Sequence, residues 1–154
     1  MHNCFTYETK FGNIILASDG EAITALVFRR FDAANCRKEA SVLTDLAAAQ
    51  LDEYFAGKRR QFDLPLRPQG TAFQLSVWDA LLAVPYGETR SYKQIAEAIG
   101  NPNASRAVGM ANNRNPISIF IPCHRVIGTD GSLTGYGGGL EMKEKLLRLE
   151  ARVW

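Results

Sequence analysis

S-Y-K-Q-I-A-E-A-I-G-N-P-N-A-S-R-A-V-G-M-A-N, from Ser91 to Asn112, is the stretch whose reading decides the fold. Ser91 and Gln94 have capping-box spacing, Ile95, Ala96 and Ile99 make a short apolar face, and Gly100-Asn101-Pro102 ends the helix after about two turns. A second short helix follows from about Asn103 to Asn112, with Ala104, Ala107, Val108 and Ala111 on its inner side. Two short helices joined by such a turn have the form of a helix-turn-helix, although an ordinary helical hairpin fits the same pattern. Ala104, Ser105, Ala107, Gly109 and Ala111 are small, so the second helix can press against a duplex while offering few side chains to tell bases apart. Its one long cation is Arg106.

Downstream, Ile119 to Ile127 reads I-F-I-P-C-H-R-V-I and joins a cysteine, Cys123, to the only interior histidine, His124. Cysteine attacks as thiolate, and a neighbouring imidazole or cation can bring its pKa into the physiological range. The apolar run Ile117 to Ile121 predicts a buried strand that Pro122 breaks, which sets Cys123 where core gives way to loop. The competing reading makes Cys123 a small buried hydrophobe and His124 a surface residue. Gly128 to Gly139 carries six glycines, which permit close backbone approach to a ligand, but no Gly-Lys-Ser/Thr of a phosphate loop follows. A last helix from Leu140 is expected to pack Leu140, Leu146, Leu147 and Val153.

Upstream, Thr71 and Gln74 repeat the capping box, and Phe73, Val77, Trp78, Leu81 and Leu82 form an apolar stripe ending at Pro85-Tyr86-Gly87, so Trp78 belongs to the core. Leu64 to Gly70 holds two prolines and a glycine and is the best linker, so the expected domains are 1–66 and 67–154. Before it, Phe5-Thr6-Tyr7, Asn13 to Ala17 and Ile23 to Phe28 predict a small antiparallel sheet, with Ser18-Asp19-Gly20-Glu21 as a hairpin turn. Val42 to Ala56 predicts a helix lying on it, capped by Gly57. Lys58-Arg59-Arg60 reads as a cluster serving the helix end or solvent.

At 154 residues, 46% hydrophobic and 22% charged, the chain can bury a core. No stretch approaches the roughly 18 apolar residues of a membrane helix, and the N-terminus lacks a signal pattern, so the expected location is cytoplasmic. Cys4, Cys36 and Cys123 are odd in number and widely spaced, which argues against a disulfide framework. Cys4, Cys36 and His2 give at most three zinc ligands without paired spacing, so no metal site is expected. The net charge is +2, yet Arg90, Lys93, Arg106, Arg114 and Arg125 face only Glu97 between Arg90 and Gly128, a surplus of four that hints at a polyanionic partner or a solvated face.

Asn115-Pro116 followed by Ile121-Pro122-Cys123-His124-Arg125-Val126-Ile127 resembles the active-site signature of the O6-alkylguanine-DNA alkyltransferases. Thr71-Ala72-Phe73-Gln74, Val77-Trp78, Pro85-Tyr86-Gly87, Ser91-Tyr92, Gly100-Asn101-Pro102 and Arg106-Ala107-Val108-Gly109 upstream are similar to that family. So are Gly135-Tyr136-Gly137-Gly138-Gly139, Lys143-Glu144 and Leu146-Leu147 to Glu150 downstream. The resemblance covers about Gly70 to Glu150, and the N-terminal part matches in layout only.

The resemblance implies an α+β protein: an RNase H-like N-terminal sheet with a covering helix, then a mostly helical winged helix-turn-helix domain. It implies a single-turnover repair enzyme, a methylated-DNA–protein-cysteine S-methyltransferase. Such an enzyme flips O6-alkylguanine from duplex DNA and moves the alkyl group irreversibly to Cys123, with O4-alkylthymine left open. A lesion-binding, alkyltransferase-like protein without transfer is the alternative. By the same resemblance His124 takes the thiol proton through a water, Glu150 orients His124, Asn115 holds the site, Tyr92 donates to the leaving purine and Lys143 assists near the cysteine. Arg106 is the finger that replaces the extruded base, and Ala107, Ser91, Arg114 and Arg125 complete the expected DNA face. Tyr92, Val126, Tyr136, Gly137 and Gly138 form the expected base pocket. No cofactor and no obligate protein partner are implied, and a monomer is expected. Arg114 and Lys145 depart from the family pattern, which commonly has a small residue and an aromatic there.

Overall fold

The structure is a computed structural model that describes residues 2–28, 36–136 and 139–151. The chain divides into two units, Met1–Pro68 and Gln69–Trp154. In the first, β1 (His2–Thr9), β2 (Gly12–Ser18), β3 (Ile23–Val27) and β4 (Cys36–Arg37) form a sheet in the order β3-β2-β1-β4. The β1–β2 and β2–β3 pairs are antiparallel hairpins, each joined by a short turn. Asp19 shapes the second turn by accepting from the Glu21 and Ala22 amides at 2.9 Å. Ile14, Leu16 and Leu26 are buried, and α1 (Val42–Phe55) contributes Ala47, Leu51, Tyr54 and Phe55 to the core. Ser41 starts this helix with a reciprocal cap to Thr44, and Gly57 follows its end at φ +77°, the left-handed conformation that glycine adopts at least cost. After it, Arg59 is tied to Glu53 at 2.9 Å.

Two features of this unit differ from expectation. Cys4 and Cys36 form a disulfide, with Cα atoms 5.9 Å apart. Their separation of 32 residues gives no local cue, because the pair arises from β4 lying parallel to β1, with His2 opposite Cys36. The linker is also less free than its prolines suggest. The Ile23 amide donates to the Pro65 carbonyl and the Arg67 amide to the Ile23 carbonyl, both at 2.8 Å, so Leu66 runs beside β3 where a proline-flanked segment can still bridge an edge. Arg67 then pairs with Asp19.

The second unit begins with α2 (Ala72–Leu82), capped by Thr71 and Gln74. Trp78 is buried on it and donates its indole N–H to the Ala111 carbonyl at 2.9 Å. Then come β5 (Arg90–Ser91), α3 (Tyr92–Ala98), α4 (Ser105–Asn113), a 3-10 turn (Cys123–Arg125), β6 (Val126–Ile127) and α5 (Leu140–Ala151). Helices α3 and α4 with the Gly100 turn make the helix-turn-helix, and β5 pairs parallel with β6.

Ile117 to Ile121 is not the expected strand. All five residues are buried, but the chain turns back on itself: the Ile121 amide donates to the Ile117 carbonyl at 3.0 Å and Ile119 sits at φ 72°. Burial fixed the composition of this run, and a side chain supplies its hydrogen bonds where a neighbouring strand would otherwise do so. Helix α5 also differs. Leu140 is half exposed, and the buried residues of that helix are Lys143, Leu146 and Glu150. Val153 lies outside the described residues.

Candidate functional site: a buried thiol, imidazole and carboxylate

The side chain that replaces the missing strand is Asn115. Its Oδ1 accepts from the Ile117 amide at 3.0 Å and its Nδ2 donates to the Ile121 carbonyl at 2.9 Å, which closes the turn that presents Cys123. From α4, Asn112 Nδ2 donates to the Cys123 carbonyl at 3.3 Å. The Cys123 turn is thereby anchored on both sides by amides rather than by a sheet. Cys123 is 3% exposed, and burial pushes its thiol up. Hydrogen bonding from Asn115, the charge of Lys143 and the Ser118 hydroxyl act against that shift. A thiol so placed is protonated at rest and needs a base before it can attack.

His124 is the base within reach in sequence, and it is fully buried. Its Nε2 lies 2.7 Å from Glu150 Oε2. Glu150, on α5, also accepts from Arg125 Nε at 2.8 Å and Nη2 at 3.0 Å, and from the Gly87 amide at 3.3 Å. Burial alone would raise this carboxyl, but the bonds and charges of His124 and Arg125 hold it well below the usual carboxylate range. Burial lowers the pKa of His124, and Arg125 and Lys143 add to that, with only Glu150 opposing. The imidazole is therefore neutral. Because an ionised carboxylate only accepts, the shared proton belongs to Nε2, an assignment made from the hydrogen-bond network. Nδ1 keeps its lone pair and has no hydrogen-bond partner among the described residues. A lone pair there can take a proton.

Lys143 is wholly buried, with Nζ donating to the Val126 carbonyl at 2.5 Å and the Thr134 carbonyl at 2.6 Å. Burial lowers its pKa to about 8, against the pull of the Cys123 charge. Thr134 in turn bonds Tyr92, its Oγ1 2.8 Å from the Tyr92 hydroxyl. Tyr136 is buried, and burial followed by the Cys123 charge raises its hydroxyl pKa well above the ordinary value. A cleft of about 550 Å³ opens beside these groups, lined among others by Tyr92, Arg106, Gly109, Asn113, Thr134 and Gly135.

Cys123, His124, Glu150, Asn115 and Lys143 thus come together in the interior, and Tyr92 and Arg106 meet at the cleft. Arg106, Ala107 and Arg114 are exposed on or just after α4. The Ser91 hydroxyl is engaged as the α3 cap, accepting from the Gln94 amide. Val126 is buried, and its carbonyl is already taken by Lys143. Gly137 and Gly138 lie outside the described residues. Arg125, expected on the DNA face, is instead 7% exposed. Its guanidinium is spent on Glu150 and on the Val84 carbonyl, which Nη1 meets at 2.7 Å, because an unpaired carboxylate could not be buried there. Asn112, Gly87 and Thr134 were not anticipated. Of these only Asn112 carried a signal, as a polar residue beside Val108 and Ala111 on an otherwise apolar helix face.

Residues 72–152 match the model described as 6-O-methylguanine DNA methyltransferase, DNA binding domain, and residues 4–68 match that of its ribonuclease-like domain. The chain belongs to the 6-O-methylguanine DNA methyltransferase family. The methylated-DNA–protein-cysteine methyltransferase of Methanosarcina acetivorans is 51% identical over 148 residues, covering 94% of this chain and 95% of the relative. The protein of that name from Mycobacterium leprae is 49% identical over 154 residues, covering 97% of this chain and 93% of the relative. The Mycobacterium tuberculosis OGT solved in complex with DNA superposes with a TM-score of 0.91 at 47% identity, covering 97% of this chain and 92% of that one. In this methyltransferase family member, every site residue named above lies in the segment matching the DNA binding domain, while the disulfide-bearing sheet lies in the ribonuclease-like segment.

Proposed function

We propose that this protein repairs O6-alkylguanine in duplex DNA by moving the alkyl group to Cys123 Sγ, once per molecule. The observation that carries the reading is the buried Cys123 next to a buried His124 whose Nε2 lies 2.7 Å from Glu150 Oε2. His124 Nδ1 accepts the thiol proton through a water, and the thiolate attacks the alkyl carbon. An S–C bond forms as the C–O6 bond breaks. The electron pair stays with the guanine, where the Tyr92 hydroxyl donates as charge develops. The product thioether has no ionisable S–H, so turnover ends there.

Reaching a base inside a duplex requires extrusion, which costs a few kcal/mol and is cheapest for a poorly paired, alkylated guanine. Arg106 on exposed α4 is the wedge for the vacated stack, and the small residues around it allow close approach. Ala107 and Arg114 share that face, and Val126, Tyr136, Gly137 and Gly138 border the flipped base. No cofactor is required by a displacement of this kind. We place the protein in the cytoplasm as a monomer. Among the described residues no helix is long and apolar enough to cross a membrane.

The test is incubation with O6-methylguanine duplex followed by peptide mass mapping. One added methyl on the Cys123 peptide, with stoichiometric loss of activity, is expected. Lesion binding without that mass would leave the non-transferring alternative. Arg106→Ala should slow transfer from duplex and spare transfer from free O6-benzylguanine.

A further inference from the structure

Arg125 lies inside the protein, one residue from the base, and the transfer chemistry as written gives it no task. It is anchored at every nitrogen. Nε and Nη2 grip the two oxygens of Glu150, Nη1 holds the Val84 carbonyl after α2, and the guanidinium carbon lies 5.7 Å from the Tyr86 ring centroid. A planar fork fixed at that many points cannot swing to a phosphate. We propose that Arg125 is a positioning residue for the base: its two-point grip keeps Glu150 an acceptor only, and so keeps His124 neutral with its proton on Nε2. The proposal rests on the alkyl-transfer reading above.

The reason is charge balance in a dry site. A buried carboxylate whose only partner was an imidazole would draw one proton into the pair, as imidazolium–carboxylate or as carboxylic acid–imidazole. In either form the pair holds one proton more than it does beside Arg125. An imidazolium has no lone pair for the thiol proton, and a protonated carboxyl donates into the imidazole and disturbs its tautomer. Arg125 removes both outcomes by supplying the counter-charge itself. The other groups facing His124 act in the same sense or are neutral. Lys143, also from α5, repels a proton on the ring; Cys123 is a thiol at rest; and Tyr136, whose hydroxyl pKa is raised by burial and by the charges of Cys123 and Glu150, stays protonated. Glu150 alone favours an imidazolium; burial opposes it most, and the charges of Arg125, which also grips Glu150 directly, and of Lys143 oppose it further.

The sign follows directly. Removing the cation raises the pH at which the His124–Glu150 pair takes up its extra proton, so the acid limb of the transfer rate moves to higher pH. Single-turnover transfer from free O6-benzylguanine, measured from about pH 5 to about pH 9, excludes any contribution from DNA contacts. Arg125→Met should move the acid limb up by about one pH unit or more, a loss of about tenfold below both limbs that closes as pH rises, and Arg125→Lys should restore most of the shift. A loss by one constant factor at every pH would assign Arg125 a purely structural role and overturn the proposal. So would an unmoved limb, or a defect confined to duplex substrate. Should Arg125→Met fail to fold, nitrogen-15 spectra of the wild-type His124 ring, assigned against His2→Gln, decide the matter. A neutral Nε2–H ring at neutral pH supports the proposal, and an imidazolium or Nδ1–H ring refutes it. If the wild type never alkylates Cys123, the functional reading has failed, and the ring spectra still test the role of Arg125.

Discussion

Replacing Asn115 by alanine should damage stability and transfer together, because one side chain satisfies the turn and steadies the nucleophile. The variant strands two backbone groups, the Ile117 amide and the Ile121 carbonyl, in a segment where Ile117, Ile119, Phe120 and Ile121 are each at most 4% exposed. A buried polar group left unpaired costs about 1–3 kcal/mol, so the pair should cost about 2–4 kcal/mol after local relaxation. At about 4–8 °C per kcal/mol for a unit of this size, Tm should fall by at least about 8 °C. The thiol also loses the strongest of the contacts that oppose its burial-raised pKa, and a shift of the turn by about 1 Å is worth about a hundredfold in rate. Urea unfolding followed by tryptophan fluorescence, with the rate of transfer from free O6-benzylguanine, measures both effects. Asn115→Asp keeps the acceptor for the Ile117 amide but loses the donor to Ile121. Its stability should therefore lie between wild type and alanine, while its rate falls at least as far because a carboxylate opposes the thiolate. Asn115→Ala within about 1 kcal/mol of wild type, or with an undiminished rate, would show that Asn115 does not hold this turn.

Two further expectations concern backbone and cross-link. Gly135 borders the cleft at φ +33°, and a Cβ there would lie 2.7 Å from Asn113 Oδ1 and 2.8 Å from its Nδ2. Gly135→Ala should therefore push Asn113 across the cleft and slow transfer from both duplex and free base by about tenfold or more, since about 1 Å of misplacement is already costly; equal rates would show that the alkylated base does not enter there. Reducing the Cys4–Cys36 bond opens a loop whose ends are 32 residues apart, for which chain entropy predicts about 3–4 kcal/mol. Dithiothreitol, or Cys4→Ser with Cys36→Ser, should lower the Tm of the N-terminal unit and leave the transfer rate unchanged. A matching loss of transfer would tie the sheet to the chemistry.

What the sequence shows well is what depends on neighbours in sequence. Three helix starts, at Ser41, Thr71 and Ser91, carry a hydroxyl three residues before the group that answers it, and all three are reciprocal caps. Trp78 was legible as core because its stripe recurs at helical spacing. That Cys123 and His124 share one site was legible because they are adjacent. The partners of those two groups come from elsewhere in the chain, and there pattern reading loses its grip. Ile117 to Ile121 is apolar enough for a strand, and only the third dimension reveals that Asn115 replaces the neighbouring strand. The disulfide hides for the same reason, since β4 meets β1 through topology rather than spacing.

Charge is where sequence and structure part most sharply. Counting Arg125 with Arg90, Lys93, Arg106 and Arg114 against Glu97 gives a surplus of four, but Arg125 belongs to a buried ion pair and leaves a surplus of three. Arg90 is also drawn to Glu88 at 3.1 Å. Lys93, Arg106 and Arg114 remain as exposed cations without an ion pair among the described residues. Electrostatic attraction to phosphate is sequence-blind and scales with the number of contacts, so under the proposed function three cations would give a modest grip on DNA. Two buried cations, Arg125 beside Glu150 and Lys143 beside the thiol, are ones that composition would have assigned to solvent. They act inward, where low dielectric makes one cation worth several at the surface, on the imidazole, the carboxylate and the thiol of the site.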